Sequence, residues 1–369
     1  MPVTSKSIQL SQRDLAMIRD IARYKFLSSF QLERLYFAAI KHRRYDPADP
    51  STEAQRANAR HRTAANRLTL LARYGLLSRV FAYPKASDNP KFGHPTAVYY
   101  LSPQNLKNLQ TTLAAKSNAS AYEEYQDLAT TANHEKEFSH QYLEHELGIS
   151  DIFISVEASA IRTGWTILFW ERTSPFSRDI REEFLIETSK TTPSGNTRTK
   201  REKLFFNPDG VLGLQDPDGF KYFFTVEYDN DSCSIPEYNQ KLRGCIEYRQ
   251  RKLFPQLTTH YANKYGFKVA NPNVGWRVLN ITPDDQRRNA LFQDSLSLHA
   301  FKYLMFASMT DIQPDKFLET VWLRGKEYPE AKAHLEQILP SEASPALQRR
   351  IQHETLNNPD IMLRVGLRD

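Results

Sequence analysis

The chain has 369 residues, of which 40% are hydrophobic, 12% aromatic and 25% charged. This balance is typical of folded globular proteins and excludes disordered, collagen-like and disulfide-scaffold proteins. The length predicts two domains, or two domains with an extension. No segment approaches about 18 consecutive apolar residues and the N-terminus is polar, so we expect no membrane span, no secretory signal and a cytoplasmic protein.

Positive charge is concentrated near the N-terminus. The formal net charge is +6, and residues 41–79 alone hold nine Lys and Arg against three Asp and Glu. The excess of the whole chain therefore equals that of one short segment. Such a segment is compatible with a nucleic-acid partner.

The first hundred residues predict three helices and a hairpin. Ser11 is placed to cap the first helix, with Asp14 in the capping-box position three residues later. A polar, proline-broken loop at residues 41–50 separates the second helix from the third, and a turn rich in Pro, Gly and Asn separates two strand-like runs. The helices are expected at residues 12–24, from 28 or 29 onward and at 52–74, and the strands at 76–83 and 97–101. This order is typical of a winged helix-turn-helix, which we assign to residues 8–102.

The third helix carries a basic stripe. At about 100° per residue, Arg56, Arg60, Thr63 and Arg67 fall within about 60° of one another. An isolated stripe of this kind is usually a solvated helix face. On the third helix of a tri-helical unit followed by a wing, however, it occupies the position of a recognition helix in the major groove. We therefore predict contacts with double-stranded DNA by Arg56, Arg60, Arg62, Thr63 and Arg67.

The rest of the chain predicts a helical connector at residues 103–137, a mixed α/β domain at 138–309 and a helical extension at 310–369. The helix-compatible pieces of this extension are Asp315–Leu323, Ala331–Leu339 and Pro345–Leu356. The basic stretch Lys190–Lys203, rich in Ser, Thr, Pro and Gly, is expected to be a flexible, solvated loop, with ordering on a DNA backbone as the alternative. The strands are expected at Trp165–Glu171, Glu183–Glu187, Val211–Leu214, Tyr222–Tyr228 and Trp276–Ile281, and the helices at His140–Gly148, Tyr238–Tyr248 and Arg287–Met309.

Two of these strands bring acidic residues together. The Asp-Pro-Asp-Gly sequence at 216–219 is a strong turn signal, so the runs on either side should pair as an antiparallel hairpin. Asp209 opens the first strand and Glu227 closes the second, and pairing places these two ends side by side. Glu227 and Asp229 are two positions apart and belong to the same face. Three carboxylates therefore converge at one end of the sheet.

Converging carboxylates need a compensating cation, because they cannot all stay ionised in proximity. Mg²⁺ or Mn²⁺ suits oxygen ligands, and either ion would polarise a phosphodiester and activate an attacking oxygen. The alternative is a capped turn and a solvated strand end that hold no metal. The buried-looking run Phe223–Val226 supports the metal site, with Asp209, Glu227 and Asp229 as ligands, without excluding that alternative.

Several motifs resemble known families. Pro208-Asp209, followed after a hairpin by Glu227-x-Asp229, resembles the PD-(D/E)XK nuclease signature, with Asp229 in place of its lysine. A wider set of segments resembles the plasmid replication-relaxation family over roughly residues 8 to 305. These segments are Leu10–Asp14, Ile21–Leu27, Arg67–Leu77, Val98–Ser102, Asn207–Asp209 and Val226–Asp229. That family is similar to MobC-type relaxases, which nick DNA at a transfer origin.

The resemblance implies a winged helix-turn-helix followed by a restriction-endonuclease-like mixed sheet flanked by helices, in the α+β or α/β class. It assigns Asp209 and Glu227 as metal ligands and Asp229 as a third ligand or proton acceptor. Lys241 on the next helix is our catalytic candidate for the missing lysine, and Lys203 is the alternative. The missing lysine leaves open a degenerate domain that binds DNA without cutting it.

Other signatures are absent from the sequence. None of the ten histidines lies two positions from another, which disfavours a His-hydrophobic-His metal site. There is no Gly-rich phosphate loop, paired-Cys zinc pattern or Gly-x-Ser-x-Gly turn. The chain has 18 tyrosines, so a covalent tyrosyl–DNA intermediate stays open, with Tyr228 and Tyr238 nearest to the acidic residues.

The leading hypothesis is a DNA-processing protein of a plasmid or mobile element that binds duplex DNA at an origin and nicks it with Mg²⁺ or Mn²⁺. Other relaxosome or replication proteins are candidate partners. Whether the protein is an enzyme depends on the acidic site. The alternative is a non-catalytic DNA-binding regulator of replication or transfer with a degenerate nuclease-like domain. A third hypothesis is a structural adaptor whose C-terminal domain binds proteins.

Overall fold

The computed structural model describes residues 8–38, 53–82, 96–114, 138–173, 181–191, 197–271, 275–298, 303–313, 315–319, 322–325, 362–365 and 367. The chain divides into two compact units, residues 1–151 and 152–369. Within the described ranges, no helix is both long and apolar enough to cross a membrane. The loop predicted at residues 41–50 and most of the predicted C-terminal extension lie outside these ranges.

The first unit begins with three helical segments, as predicted. Helix α1 (Gln12–Tyr24) is capped by Ser11, whose hydroxyl oxygen accepts a hydrogen bond from the Asp14 amide, and the Asp14 side chain completes the capping box. After strand β1 (Leu27–Ser28), helix α2 (Ser29–Glu33) continues into a π-helical turn, Arg34–Ala38. Helix α3 spans Glu53–Arg73. The predicted capping box at Ser11 is therefore confirmed.

An antiparallel sheet completes the first unit. In the described residues it contains β1, β2 (Ser78–Ala82) and β3 (Thr96–Tyr100), in the order β1-β3-β2. Gly75 follows α3 with a φ of +68°, a conformation that glycine adopts at little cost. Helix α4 (Pro103–Ala114) is tied to this turn, because Asn105 Nδ2 donates a hydrogen bond to the Gly75 carbonyl at 2.9 Å. The predicted hairpin after the third helix is confirmed.

The second unit contains a mixed sheet that has seven described strands, in the order β12-β11-β10-β9-β8-β7-β4. Strands β4, β7 and β8 form an antiparallel meander, whereas β8, β9 and β10 are parallel and β11 and β12 are antiparallel additions. Strands β5 and β6 pair only with each other in the described part, and we call this pair the ribbon. The strands are β4 (Thr166–Arg172), β5 (Glu182–Thr191), β6 (Thr197–Phe206), β7 (Gly210–Gln215), β8 (Lys221–Tyr228), β9 (Trp276–Thr282), β10 (Leu304–Ser308), β11 (Trp322–Gly325) and β12 (Met362–Val365).

Helices cover both faces of this sheet. The helices are α5 (His140–Thr163), which runs across the boundary of the two units, α6 (Ile235–Gln250), α7 (Phe254–Tyr265), α8 (Asp285–Ser295) and α9 (Met309–Ile312). Trp170 of β4 stacks on Phe153 of α5 with 4.3 Å between ring centroids, whereas Phe169 stacks on Tyr261 of α7 at 4.3 Å. Neighbouring residues of a strand point to opposite faces, so α5 and α7 lie on opposite sides of the sheet.

Three predictions for this unit are wrong. The stretch Lys190–Lys203 is not a loop, because its described residues belong to the ribbon, which pairs from Glu182 opposite Phe206 to Thr191 opposite Thr197. The helix expected at Arg287–Met309 ends at Ser295, and residues 304–308 form β10. Residues 322–325 and 362–365 are strands that extend the sheet, whereas a helical extension was predicted there. A strand buried on both faces is a continuous apolar run, and periodicity cannot distinguish it from a buried helix.

Gly244 sets how closely α6 approaches the ribbon. A Cβ at this position would lie 1.9 Å from the carbonyl oxygen of Phe205. We expect Gly244→Ala to lower the free energy of unfolding by about 1–3 kcal/mol, the usual cost of overpacking, in a denaturant titration. The control is Gly275→Ala, because a Cβ there would meet no atom within 4 Å. Equal stability of the two variants would contradict the close approach.

Candidate functional site

Asp209 and Glu227 lie side by side at one end of the sheet. Gly210 pairs with Val226 in the β7–β8 hairpin, so Asp209 and Glu227 occupy the next positions on the two strands. Asp209 Oδ2 also accepts a hydrogen bond from the amide of Tyr228 at 2.8 Å. The predicted turn forms between these strands, where Asp216 Oδ1 accepts a hydrogen bond from the amide of residue 218 at 3.0 Å. The hairpin therefore brings the two acidic residues together.

Lys241 of helix α6 reaches the buried Glu227. The side chain of Glu227 is 2% exposed, and its Oε2 lies 3.8 Å from Nζ of Lys241, whose side chain is 45% exposed. The negative charge of Asp209, and then that of Glu227, raises the pKa of Lys241, although burial opposes this. Lys241 is therefore a protonated cation whose side chain contacts the buried carboxylate and is also partly exposed to solvent. The alternative lysine, Lys203, instead pairs with Glu183 of the ribbon at 2.7 Å.

Asp229 has a different cation as its partner. Its Oδ2 accepts a hydrogen bond from Nε of Arg287 in α8 at 2.6 Å, and its Oδ1 accepts one from the amide of Asp231 at 3.2 Å. Arg287 also donates from Nη2 to the carbonyl of Cys233 at 2.6 Å. Both oxygens of Asp229 are thus engaged within the protein. Sequence reasoning missed Arg287, which lies 58 positions after Asp229 and belongs to no motif.

The geometry restricts how a metal ion could be held. No three His, Cys, Asp or Glu side chains of the described residues are grouped so that they could hold one. Mg²⁺ is often bound through only one or two carboxylates, while water and substrate phosphates supply its other ligands. Asp209 and Glu227 fit a site of that kind. Asp229 fits it less well, because Arg287 already neutralises it.

A thiol and a phenol lie close to the carboxylates. Cys245 Sγ donates to Glu227 Oε1 at 3.8 Å, and burial followed by the charge of Glu227 raises the pKa of the Cys245 thiol. Tyr238 is fully buried and donates from its hydroxyl to Asn280 Oδ1 at 2.9 Å. Burial and the charge of Glu227 raise the pKa of Tyr238 well above its usual value. Neither group is therefore activated as a nucleophile.

In the first unit, Arg67 of the basic stripe is bound to a buried acid. Its Nε donates to Asp14 Oδ1 at 2.7 Å and its Nη2 to Asp14 Oδ2 at 2.5 Å, and the Asp14 side chain is 1% exposed. Burial would raise the pKa of Asp14, but the hydrogen bonds from Arg67 and Ser11 prevail and lower it. Arg67 thus joins α3 to the capping box of α1.

Arg60 lies close to an acid of the neighbouring helix. Its Nε is 3.5 Å from Glu33 Oε1, and His61 Nδ1 is 3.7 Å from Glu33 Oε2. The His61 ring also stacks on Phe30 of α2 with 4.3 Å between centroids. These contacts hold α2 against α3. Arg60 therefore has a structural role at this contact as well as a place on the stripe.

The other predicted DNA contacts differ in exposure. Arg62 and Thr63 are exposed on α3. The Thr63 hydroxyl donates to the carbonyl of Ala59 at 2.9 Å, as is common for threonine in helices. The backbone of Arg56 belongs to α3, but its side chain lies outside the described part of the structure. Arg62, which lies outside the stripe, and Thr63 are thus the predicted DNA contacts whose side chains are exposed to solvent.

Arg67→Ala tests the structural role of the stripe. It leaves the buried Asp14 carboxylate without its cation, so we expect a loss of about 3 kcal/mol in the free energy of unfolding at pH 7. Because the pKa of Asp14 is lowered in the folded state, this loss should shrink as the pH falls below its ordinary value of 3.8. The control Arg62→Ala should change stability by less than about 0.5 kcal/mol. Equal effects of the two variants would contradict the assignment.

A double-mutant cycle tests the Asp229–Arg287 pair. Arg287→Met alone leaves a buried carboxylate unpaired and should cost about 3 kcal/mol in denaturant titration. Adding Asp229→Asn removes that charge and should recover about 1–3 kcal/mol as coupling energy. Additive effects of the two substitutions would show that the pair is not coupled.

The chain matches a known protein family. Residues 18–258, more than half of the chain, match the family described as Replication-relaxation. No curated protein and no solved structure matches the chain. The matched range includes helix α3 of the first unit and the β7–β8 hairpin with its acidic residues.

Proposed function

Because the chain belongs to the replication-relaxation family, we propose that it is a DNA-processing protein of a plasmid or other mobile element. The family supports a function related to replication of such an element. We assign duplex binding to the first unit and nicking of one strand to the acidic site of the second unit.

The observation that carries the nicking proposal is the group formed by Asp209, Glu227 and Lys241. Two neighbouring carboxylates suit a divalent cation, which when bound supplies charge stabilisation to a phosphodiester and activates an oxygen nucleophile. Lys241 lies 3.8 Å from Glu227 and carries its charge on a half-exposed side chain. It can therefore stabilise negative charge on a phosphate. The nuclease motif would have its lysine at the end of β8, whereas Lys241 reaches this place from helix α6.

The arrangement of the sheet supports the nuclease-like interpretation. The acidic residues lie at the end of an antiparallel meander, β4-β7-β8, and helices α6 and α7 connect β8 to its parallel neighbour β9. Helices lie on both faces of this sheet. A mixed sheet flanked by helices is what the resemblance to PD-(D/E)XK and MobC-type proteins implies.

The first unit supports duplex binding. Its three helical segments and the β1-β3-β2 sheet have the element order of a winged helix-turn-helix, and α3 then corresponds to the recognition helix. Exposed Arg62 and Thr63 are suited to phosphate and base contacts. Arg67 is the least suited stripe residue, because both of its hydrogen bonds to Asp14 are made inside the unit.

A nicking assay tests the catalytic part. The substrate is supercoiled plasmid carrying the DNA that neighbours the coding sequence, incubated with Mg²⁺, Mn²⁺ or a chelator. We expect wild-type protein to produce relaxed circles only with metal, and Asp209→Asn, Glu227→Gln and Lys241→Met to reduce the rate by roughly 100-fold or more. The matched control is Asp218→Asn, an exposed carboxylate in the β7–β8 turn, which should leave the rate unchanged.

Calorimetric titration with Mn²⁺ gives a second readout that does not depend on turnover. Binding to wild type and its loss in Asp209→Asn would support the two-carboxylate site. Nicking that persists in all three site variants, or that occurs with chelator, would contradict the proposal.

Two observations favour a second function, that of a non-catalytic regulator. Asp229 occupies the position of the motif lysine and is neutralised by Arg287, and the described residues contain no three-ligand metal group. Such a protein would bind the same duplex and regulate replication or transfer without cutting. A clear gel shift together with unchanged supercoils in both metals would select this function.

A further inference from the structure

Asn280 lies beside the acidic site on the neighbouring strand. It occupies the position on β9 that pairs with Glu227 of the parallel strand β8, and the residue is fully buried. Asn280 Nδ2 donates to the carbonyls of Val278 at 3.3 Å and Met305 at 3.2 Å. Because carbonyl oxygens can only accept, these two bonds fix the orientation of the amide. Asn280 Oδ1 is therefore an acceptor of fixed position next to Glu227.

Tyr238 of helix α6 uses this acceptor. Its hydroxyl donates to Asn280 Oδ1 at 2.9 Å, and the residue is fully buried. Burial, followed by the charge of Glu227, raises the pKa of Tyr238 well above its usual value, so the phenol stays protonated and remains a donor. A side chain without solvent exposure cannot itself contact DNA. The bond to Asn280 instead holds the first turns of α6 against the sheet.

Three side chains of α6 lie over the paired residues Glu227 and Asn280. Tyr238, Lys241 and Cys245 are spaced three and four residues apart, so they lie on one side of the helix. Lys241 Nζ is 3.8 Å from Glu227 Oε2, and Cys245 Sγ is 3.8 Å from Glu227 Oε1. Lys241 is thus one helical turn after Tyr238 and reaches the acid that lies next to the acceptor of Tyr238.

The ion pair with Glu227 does not by itself fix the position of Lys241. A separation of 3.8 Å is longer than a hydrogen bond, and the lysine side chain is 45% exposed and has a flexible aliphatic stem. An ion pair of this length leaves several side-chain conformations accessible. The position of Nζ therefore depends on where α6 places the backbone of Lys241.

Other contacts hold α6 on the side of the ribbon. Gln240 Nε2 donates to the carbonyl of Lys203 at 3.3 Å. Arg243 Nη1 donates to Glu202 Oε1 at 2.8 Å. These contacts remain when the hydroxyl of Tyr238 is removed. Loss of that hydroxyl is therefore expected to shift the start of the helix rather than to unfold it.

We propose that the hydrogen bond between Tyr238 and Asn280 positions Lys241 for its role at the acidic site. This inference rests on the proposed function, in which Lys241 stabilises negative charge on the reacting phosphate. Such stabilisation depends on the distance between the charges, and a displacement of about 1 Å can lower a rate by about 100-fold. Tyr238 and Asn280 are positioning residues, because they act through α6 and Lys241.

Tyr238→Phe in the full chain tests this inference, because it removes one hydroxyl and keeps the ring. We expect the rate of metal-dependent nicking at saturating protein to fall by about tenfold. Duplex affinity by anisotropy and Mn²⁺ affinity by calorimetry should keep their wild-type values, since Asp209 and Glu227 are unchanged. The matched control is Tyr248→Phe on the same helix, where the ring stacks on Phe206 with 3.8 Å between centroids. This control should nick at the wild-type rate.

A double-variant cycle distinguishes positioning from a general structural role. If Tyr238 acts through Lys241, adding Tyr238→Phe to Lys241→Met should lower the remaining rate by less than about twofold. All rates are measured well below the thermal midpoint of each variant, and the midpoint of Tyr238→Phe should fall by roughly 2–4 °C. Asn280→Ser, which removes the acceptor and keeps Tyr238, is a second variant that should give the same loss of about tenfold in rate.

The outcomes separate this inference from the proposed function. A wild-type protein that nicks with neither metal would overturn both. Nicking by wild type, with equal rates in Tyr238→Phe, Asn280→Ser and Tyr248→Phe, would overturn the positioning role and leave the proposed function standing. A loss that persists undiminished in the Lys241→Met background would do the same, because the hydrogen bond would then affect the rate without Lys241.

Discussion

Two carboxylates buried at the end of strand β8 are the constraint on which the second unit depends. Glu227 and Asp229 are both buried, and an ionised carboxylate in such surroundings costs several kcal/mol unless a cation compensates it. Helix α6 supplies Lys241 and helix α8 supplies Arg287. The positions of both helices on the sheet are therefore coupled to the same two charges.

The two cations give the carboxylates different chemical roles. Arg287 is 13% exposed and holds Asp229 through a short hydrogen bond, so this pair is closed to a ligand. Lys241 is about half exposed, and its Nζ lies 3.8 Å from Glu227 Oε2, so Glu227 and Asp209 are the pair that we propose for a divalent cation. The distinction follows from exposure and distance, since all three acids belong to the same hairpin end.

Exposure and ion pairing also distinguish the basic residues elsewhere in the chain that have a structural role from those that can contact a ligand. Arg67 forms an ion pair with the buried Asp14, and Arg201 and Lys203 form ion pairs with acids of the opposite strand. Arg62, by contrast, has its side chain exposed on α3. A count of basic residues therefore overstates the charge that can meet a polyanion.

Local signals in the sequence determined much of this fold, because caps and turns are set by neighbouring residues. The Ser11 capping box, the three helices with their hairpin and the β7–β8 turn that aligns Asp209 with Glu227 were all predictable in this way. Strand β10 was not, because it is apolar on both faces, and β6 was not, because its polar residues up to Lys203 resemble a loop. Only the tertiary structure decided which cation meets which carboxylate. Arg287 lies 58 positions from Asp229 and Arg67 lies 53 from Asp14, and ion pairs between distant elements depend on how those elements pack, which spacing along the chain does not encode.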